Sequence, residues 1–353
     1  MIPHSRPTLG DAELAAVEEV VRSGQLALGP KVGQFERRFA RAIGMPDAVA
    51  VNSGTSGLHL ALCALGIGPG DEVLMPSYVC SALLYAVSYV GAVPVVVDSL
   101  PDHVHMNAEA AMEKISKKTK AVILVHLFGD VTGTKEWRGS GLRIIEDGTQ
   151  SLGNKGPDGV VGSLGDLSVF SFYATKMMTT GEGGMIGVRD PGLARTLRDT
   201  REYDEKKGFR ARYNYKMTDL AAAMGLAQLA QLPSFIDRRR QIASQYNHVL
   251  RARSSVPKPC NQDDSIYYRY VLASGQDVEE WMSHFTSKGI ACKRPVFEPL
   301  HRVGRLADEQ FPCATLHYRQ NISLPIYPSL TEAEIETISA ALTNMDLRRV
   351  EVP

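Results

Sequence analysis

Between Ala48 and Val188 the chain alternates short runs of β-branched residues with longer helical patterns, and that alternation restricts the fold more than any other feature. The strands expected are "AVAV" before Asn52, "EVLM" before Pro76, "PVVVD" ending at Asp98, "AVILVHLF" before Gly129, "LRIIED" ending at Asp147, "LSVFSF" before Tyr173 and "MIGV" ending at Val188. Strands separated by helices form a mostly parallel sheet with crossover helices, so the pattern predicts an α/β domain around a seven-stranded sheet. The intervening "SGLHLALCALG" and "SALLYAVSYVG" are almost wholly apolar and end at glycine, as buried helices do.

The flanks are simpler. "DAELAAVEEVVRSG" reads as an amphipathic helix stopped at Gly24. After Thr218 one helical pattern meets Pro233 and a second runs to Arg253, so a break at the proline is expected. The polar "SSVPKPCNQDDS" that follows carries the strongest linker signal. Beyond it a strand "IYYRYVLAS", a helix "DVEEWMSHFTSKG", a segment "SLPIYP" and a last helix opened by Thr331 with Glu334 three residues on make a smaller α+β unit. The expected division is 1–235 for an N-terminal segment and large domain, and 236–353 for a small C-terminal domain.

Composition narrows the partners. Lys+Arg and Asp+Glu are equal at 39 each, so no global field draws nucleic acid or an anionic membrane, and any bound anion must be held by local groups. The five cysteines are odd in number and lack a Cys-x-x-Cys pair, which disfavours a disulfide framework or a zinc site. The N-terminus turns polar at once, and the most apolar window, 82–97, is interrupted by Ser88, Gly91 and Pro94. A cytoplasmic protein with no metal and no membrane segment is the expectation.

Three features point to chemistry. "NSGTSGLHLAL" places Asn52, Ser53, Gly54, Thr55, Ser56 and Gly57 between a strand and a helix, where free N–H groups and hydroxyls converge on an anion. The plainer alternative is a βα turn with a serine cap. Asp147 ends a buried strand at the carboxyl edge of the sheet, where ligands of open α/β folds bind, with Gln150 just beyond it. Lys176 follows strand "LSVFSF" at the same edge, near Ser171 and Thr175. A cradle for phosphate, a carboxylate for a pyridinium nitrogen and a lysine for an aldehyde together describe a site for pyridoxal phosphate (PLP). A solvated surface lysine is the competing reading.

The ordered motifs "NSGTSGLHLALCALGIGPGDEVLMPSY", "AVILVHLFG", "IIEDGTQSLG", "GSLGDLSVFSFYATKMMTTGEGG", "YNYKMTDLAAAMGLAQL" and "SLPIYPSLTEAEI" span almost the whole chain. In that order they resemble the DegT/StrS-like sugar aminotransferases, fold-type I PLP enzymes. The resemblance implies that Lys176 is the Schiff-base lysine and proton carrier, and that Asp147 holds the ring nitrogen protonated. It implies further that Gln150 lies near the ring and that Gly54, Thr55, Ser56 and Ser171 hold the phosphate. Asn214 would reach the phosphate across the interface of a homodimer with shared active sites. The slot where the family commonly stacks an aromatic residue on the ring holds Cys80, with Tyr78 two positions away as a substitute. His301 and Arg294 are candidate substrate contacts, and His126 either lines the site or is a satisfied core histidine.

The implied reaction is transfer of an amino group from an amino acid, glutamate being the expected donor, through PLP and its amine form PMP to a nucleotide-linked keto-deoxysugar. Amination of a keto-cyclitol is the alternative. Further readings are a PLP-dependent sugar dehydratase, which the presence of Lys176 disfavours because that branch carries histidine there, and a non-catalytic regulator.

Overall fold

The computed structural model describes residues 1–251, 259–275 and 277–344. In chain order the elements are α1 (Asp11–Ser23), α2 (Pro30–Ala42), β1 (Asp47–Val51), α3 (Gly54–Ala64), β2 (Glu72–Pro76), α4 (Ala82–Tyr89), β3 (Val93–Val97), α5 (Ala108–Glu113), β4 (Thr119–Val125) and β5 (Arg143–Asp147). There follow a short hairpin of β6 (Lys155–Gly156) and β7 (Gly159–Val160), then β8 (Leu167–Ser171), β9 (Gly184–Val188), α6 (Pro191–Thr200), α7 (Asp219–Arg251), β10 (Tyr270–Ala273), α8 (Glu279–Ser287), α9 (Leu300–Val303), α10 (Pro312–Gln320), β11 (Asn321–Leu324) and α11 (Glu332–Thr343). The seven strands expected from the sequence form one sheet in the order β1-β9-β8-β5-β4-β2-β3, with β9 antiparallel to both neighbours and the other pairings parallel.

Strand alternation divides the core. Val49 and Val51 of β1, with Leu167 and Val169 of β8, face α3, whereas Ala48, Ala50, Phe170 and Phe172 face α2. On that second face Phe35, Phe39, Phe170 and Phe172 pack with ring centroids 5.0–5.9 Å apart. Truncating a wholly buried ring such as Phe39 to alanine costs about 3–5 kcal/mol. Gly24 and Gly91 take φ of 73° and 71° just past α1 and α4, the left-handed conformation that stops each helix.

Two expectations fail. The helix does not break at Pro233: α7 runs unbroken from Asp219 to Arg251. An interior proline costs a helix about 3 kcal/mol. Here its ring lies on the exposed side, and burial of Leu232, Phe235 and Ile236, each worth about 1.5–3 kcal/mol, offsets that cost. The expected border at 235/236 therefore falls inside one helix. The expected linker lies outside the described residues over 254–258. Its remainder is no linker, because the Cys260 N–H donates to the Val271 carbonyl at 2.9 Å and ties this stretch to β10.

A separate apolar cluster from Ile242 to Leu342 forms a core around β10, β11, α8 and α11. The last helix carries the expected capping box: the Glu334 N–H donates to Thr331 Oγ1 at 3.2 Å, and the Thr331 N–H donates to Glu334 Oε2 at 2.9 Å. The N-terminal segment joins this unit rather than the large sheet. Ile2 bridges Ile290, and the Arg6 guanidinium donates to the Ser329 carbonyl at 2.7 Å and pairs with Glu334 at 3.0 Å.

Candidate active site

The sheet register brings the cradle to Ser171. Gly184 at the start of β9 is opposite Val51 on one side and Ser171 on the other, so β1 and β8 present their carboxyl ends at the same edge. The chain leaving β1 crosses over Gly184, where a Cβ would lie 2.5 Å from the Ser53 carbonyl oxygen. It then passes so close to β8 that a Cβ on Gly54 would lie 2.9 Å from that of Ser171. Only glycine at both positions lets this backbone reach β8.

Ser53 caps α3, its Oγ accepting from the Ser56 N–H at 3.1 Å. Gly54 and Thr55 open the helix, so their N–H groups have no carbonyl one turn earlier and point toward an anion. Ser56 departs from expectation: its hydroxyl donates to Asn52 Oδ1 at 2.7 Å and its N–H is taken by Ser53, so it braces the cradle instead of presenting a free donor. Ser171 Oγ accepts weakly from the Tyr173 N–H at 3.3 Å.

Asp147 is buried at the end of β5, between Val125 of β4 and Val169 of β8. Its Oδ1 accepts from the Thr149 N–H at 3.0 Å, and this is its one side-chain hydrogen bond among the described residues. The preceding residue contrasts with it. Glu146 accepts from the N–H groups of Gly162, Leu164 and Gly165 and from His126 Nε2 at 3.0 Å. Burial raises the Glu146 pKa, but the His126 hydrogen bond and the N–H donors outweigh it and hold the carboxyl below its usual range. His126 Nδ1 accepts from the Thr132 N–H at 3.1 Å, so His126 is a satisfied core histidine. Gln150 Oε1 accepts from the Phe128 N–H at 2.9 Å, which fixes this side chain beside the strand end.

Lys176 sits in a hook between β8 and β9, pinned by its own N–H to the Tyr173 carbonyl at 2.9 Å and by the Thr179 N–H to Gln228 Oε1 at 3.1 Å. Among the described residues no carboxylate pairs with its ammonium, which lies 5.4 Å from the centre of the Tyr268 ring. Burial pushes the Tyr268 hydroxyl up, but the positive charges of Lys176 and Arg269 and a hydrogen bond from Thr175 outweigh it, bringing its pKa down to about 8.

The remaining candidates divide. Cys80 is exposed, whereas Tyr78 is wholly buried with its hydroxyl on the His317 carbonyl at 3.2 Å and its pKa raised by burial, so Tyr78 is not free to cover a cofactor ring. Asn214 is exposed, and its carbonyl accepts from Asn52 Nδ2 at 3.3 Å, beside the loop that enters the cradle. His301 departs from expectation. It is wholly buried between Ser77 Oγ at 2.6 Å and Asp308 at 3.1 Å and stacks on Phe311, so its side chain is engaged in bracing the loops. Arg294 is also engaged: it donates to the Tyr318 carbonyl at 2.5 Å, pairs with Glu279 at 2.6 Å and lies over the Tyr318 ring.

Sequence reasoning missed Gly184, Tyr268 and Arg269. Their signals were a Gly-Gly pair directly before a strand and a charged residue inside the aromatic run "IYYRYV".

The residues present fit PLP: a glycine-built anion cradle, a buried carboxylate with coordination to spare and an unpaired lysine at one sheet edge. Fold and site together define a PLP-dependent aminotransferase. The chain belongs to the DegT/DnrJ/EryC1/StrS aminotransferase family, whose model it matches over residues 7–343. It is 34% identical to the GDP-perosamine synthase of Escherichia coli over 95% of each chain. To the dTDP-4-dehydro-2,3,6-trideoxy-D-glucose 4-aminotransferase of Saccharopolyspora spinosa it is 33% identical over 96% of this chain and 95% of the other. Among solved structures, the PLP form of a Streptococcus pneumoniae protein superposes with a TM-score of 0.88 at 28% identity, covering 97% of each chain, and the PMP form of that protein also matches, at 0.87.

Proposed function

We propose that this protein transfers an amino group from an amino acid to a keto-deoxysugar carried on a nucleotide. The observation that carries the reading is the unpaired Lys176 ammonium at the sheet edge that also holds Asp147 and the Gly54 cradle. The relatives named for GDP- and dTDP-linked sugars support the nucleotide-sugar substrate class. Bound at this edge, PLP supplies the electron sink that lets an amino group leave one carbon and enter another. Gly54, Thr55 and Ser171 would hold its phosphate, Asp147 would keep the ring nitrogen protonated, and Gln150 would contact the ring. In each half-reaction Lys176 Nζ would move the proton between the substrate's carbon and the cofactor.

A two-fold dimer with shared sites belongs to this proposal. The exposure of Asn214, beside the loop into its own cradle, supports this reading. Mixing Lys176→Ala chains with an inactive Asn214 variant then restores up to about half of wild-type activity per heterodimer. No recovery after proven subunit exchange refutes the shared site.

Among the described residues no helix is long and apolar enough to cross a membrane. The five cysteines are all free, including exposed Cys80, which supports a reducing cytoplasm.

The function is tested by converting the enzyme to its amine form with an amino acid, then offering GDP- and dTDP-linked keto-deoxysugars and detecting the amino sugar by mass spectrometry. Turnover of a keto-cyclitol and of no nucleotide sugar would move the assignment to that alternative.

A further inference from the structure

Two strained stretches lock together where the large sheet meets the chain entering β10. After β4 the backbone reverses over 127–130, closed by the Asp130 N–H on the Leu127 carbonyl at 2.9 Å, with Phe128 at φ 60° and Gly129 at φ 104°. Across from it, in a strap over 260–269, Tyr267 stands at φ 50°. Bulky residues keep a positive φ only where their surroundings hold them there. Here the Ile266 N–H donates to the Gly129 carbonyl at 3.1 Å and the Arg269 N–H to the Phe128 carbonyl at 3.2 Å. The strap lies so close on the turn that a Cβ on Gly129 would stand 2.6 Å from the Tyr267 nitrogen.

Asp130 is wholly buried in this joint. Its Oδ2 accepts from the Gln262 N–H at 3.2 Å, whereas its Oδ1 is buried with no hydrogen-bond partner. Among the described residues no cation pairs with it. The strap sets Asp264, Cys260 and Tyr267 around it, none of them positive. Arg240 of α7 is spent on the carbonyls of Ser265 and Asp264, both at 3.1 Å. On the β4 side His126 is engaged by Glu146 and Thr132, and His103 reaches Gln262 Nε2 at 3.5 Å. Burial drives the Asp130 carboxyl up to about 7, and Ser265, the Gln262 N–H and Asn261 pull it down only in part. A buried carboxylate with one N–H donor and no cation is costly, so the closed joint favours the neutral acid. The strap matters because it carries Tyr268 and Arg269 into a chamber of about 250 Å³ that Lys176 also lines, with the Lys176 ammonium 5.4 Å from the centre of the Tyr268 ring.

We propose that Asp130 is a positioning residue that acts as a protonation latch: as the neutral acid it holds the strap closed on the turn after β4 and so sets Tyr268 against Lys176, and on ionisation it loosens the joint. The effect on catalysis rests on the aminotransferase reading above; the latch itself does not. The closed joint raises the carboxyl above its ordinary 3.8, so the latch contributes fully below that pH and its contribution is lost as pH rises to about 7. Opening therefore grows about tenfold per pH unit across that window, about a thousandfold in all, and levels off above it.

The test follows the holoenzyme from pH 5 to 9 by hydrogen exchange of the 260–269 peptide, corrected for the intrinsic pH dependence of exchange, and by the rate of the half-reaction with L-glutamate. In wild type, opening rises about tenfold per pH unit up to pH 7 and then levels. In Asp130→Asn, nearly the same shape but neutral at every pH, opening is independent of pH, and the ratio of its half-reaction rate to that of wild type climbs through pH 7. Identical exchange profiles for the two proteins, or a rate ratio that does not change with pH, overturn the proposal. Should Asp130→Asn fail to fold, infrared spectra of wild type decide: a carboxylic-acid carbonyl band that persists to pH 6 and disappears through pH 7 supports the latch, and loss of every such band by pH 5 overturns it. If no amino acid converts the wild-type enzyme to its amine form, the aminotransferase reading fails instead, and the exchange profile alone judges the latch.

Discussion

The edge of the large sheet and the chamber beneath the N-terminal segment both converge on Lys176, but they are built in opposite ways. At the edge each functional group stands at a strand end or in the turn after it: Gly54 after β1, Asp147 on β5, Ser171 on β8, Lys176 in the hook beyond. A handful of consecutive residues sets each position, and the sheet register joins them. The chamber is assembled from His4, Lys176, Gln228, Tyr268, Lys293 and Tyr327, residues from six distant stretches that meet only through the tertiary fold. The edge is therefore expected to govern chemistry, and the chamber to respond to how the distant stretches pack.

The largest effects should come from the edge. Lys176→Ala is expected to lower turnover by at least ~10²–10⁴-fold, measured as amino-sugar formation, with PLP still bound noncovalently. An equal loss from Arg269→Met would erase the distinction between the regions.

Next come the neighbours Glu146 and Asp147, which separate scaffold from chemistry on one strand. Glu146→Gln turns an acceptor of four hydrogen bonds into a mismatched amide and should cost about 3 kcal/mol of stability, read in chemical denaturation. Asp147→Asn should unfold close to wild type yet lose most of the half-reaction rate with an amino acid. The reverse pattern would show that Asp147 is a strand-end cap.

A smaller but sharper effect concerns Gly184→Ala. The added methyl meets the Ser53 carbonyl oxygen at 2.5 Å and must push the cradle off β8, so the variant should release PLP on dialysis while apo stability changes less. Unaltered retention would mean that the cradle does not hold the phosphate.

The mildest prediction is a titration. In apo protein the Tyr268 phenol should ionise near pH 8, read by ultraviolet difference absorbance and lost in Tyr268→Phe. Its pKa is depressed on folding, so its contribution to stability is complete above the unfolded value of about 10 and disappears as pH falls through 8. Lys176→Met removes a cation from the ring and should move the titration upward.

The same contrast explains what could be read in advance. All seven strands were legible because alternation of apolar runs and turns is local. The positions of Gly54, Asp147, Ser171 and Lys176 at one edge were legible because parallel strands carry their ends to one side. The continuous α7 was not, because the residues that bury Leu232, Phe235 and Ile236 and so carry the helix past Pro233 are distant in sequence. The family resemblance made His301 a substrate candidate, and its burial was not legible because it depends on Asp308 and on Ser77, 224 residues away. Arg269 was hidden because a charge just before a strand declares its surroundings only once His4 and Tyr268 are placed around it.

The central claim is that Lys176 is the residue that PLP joins. Borohydride reduction of the holoenzyme followed by peptide mass spectrometry tests it directly: the account predicts the reduced cofactor on Lys176 and its absence in Lys176→Ala, whereas reduced cofactor on any other lysine, or none on wild type loaded with PLP, would contradict it.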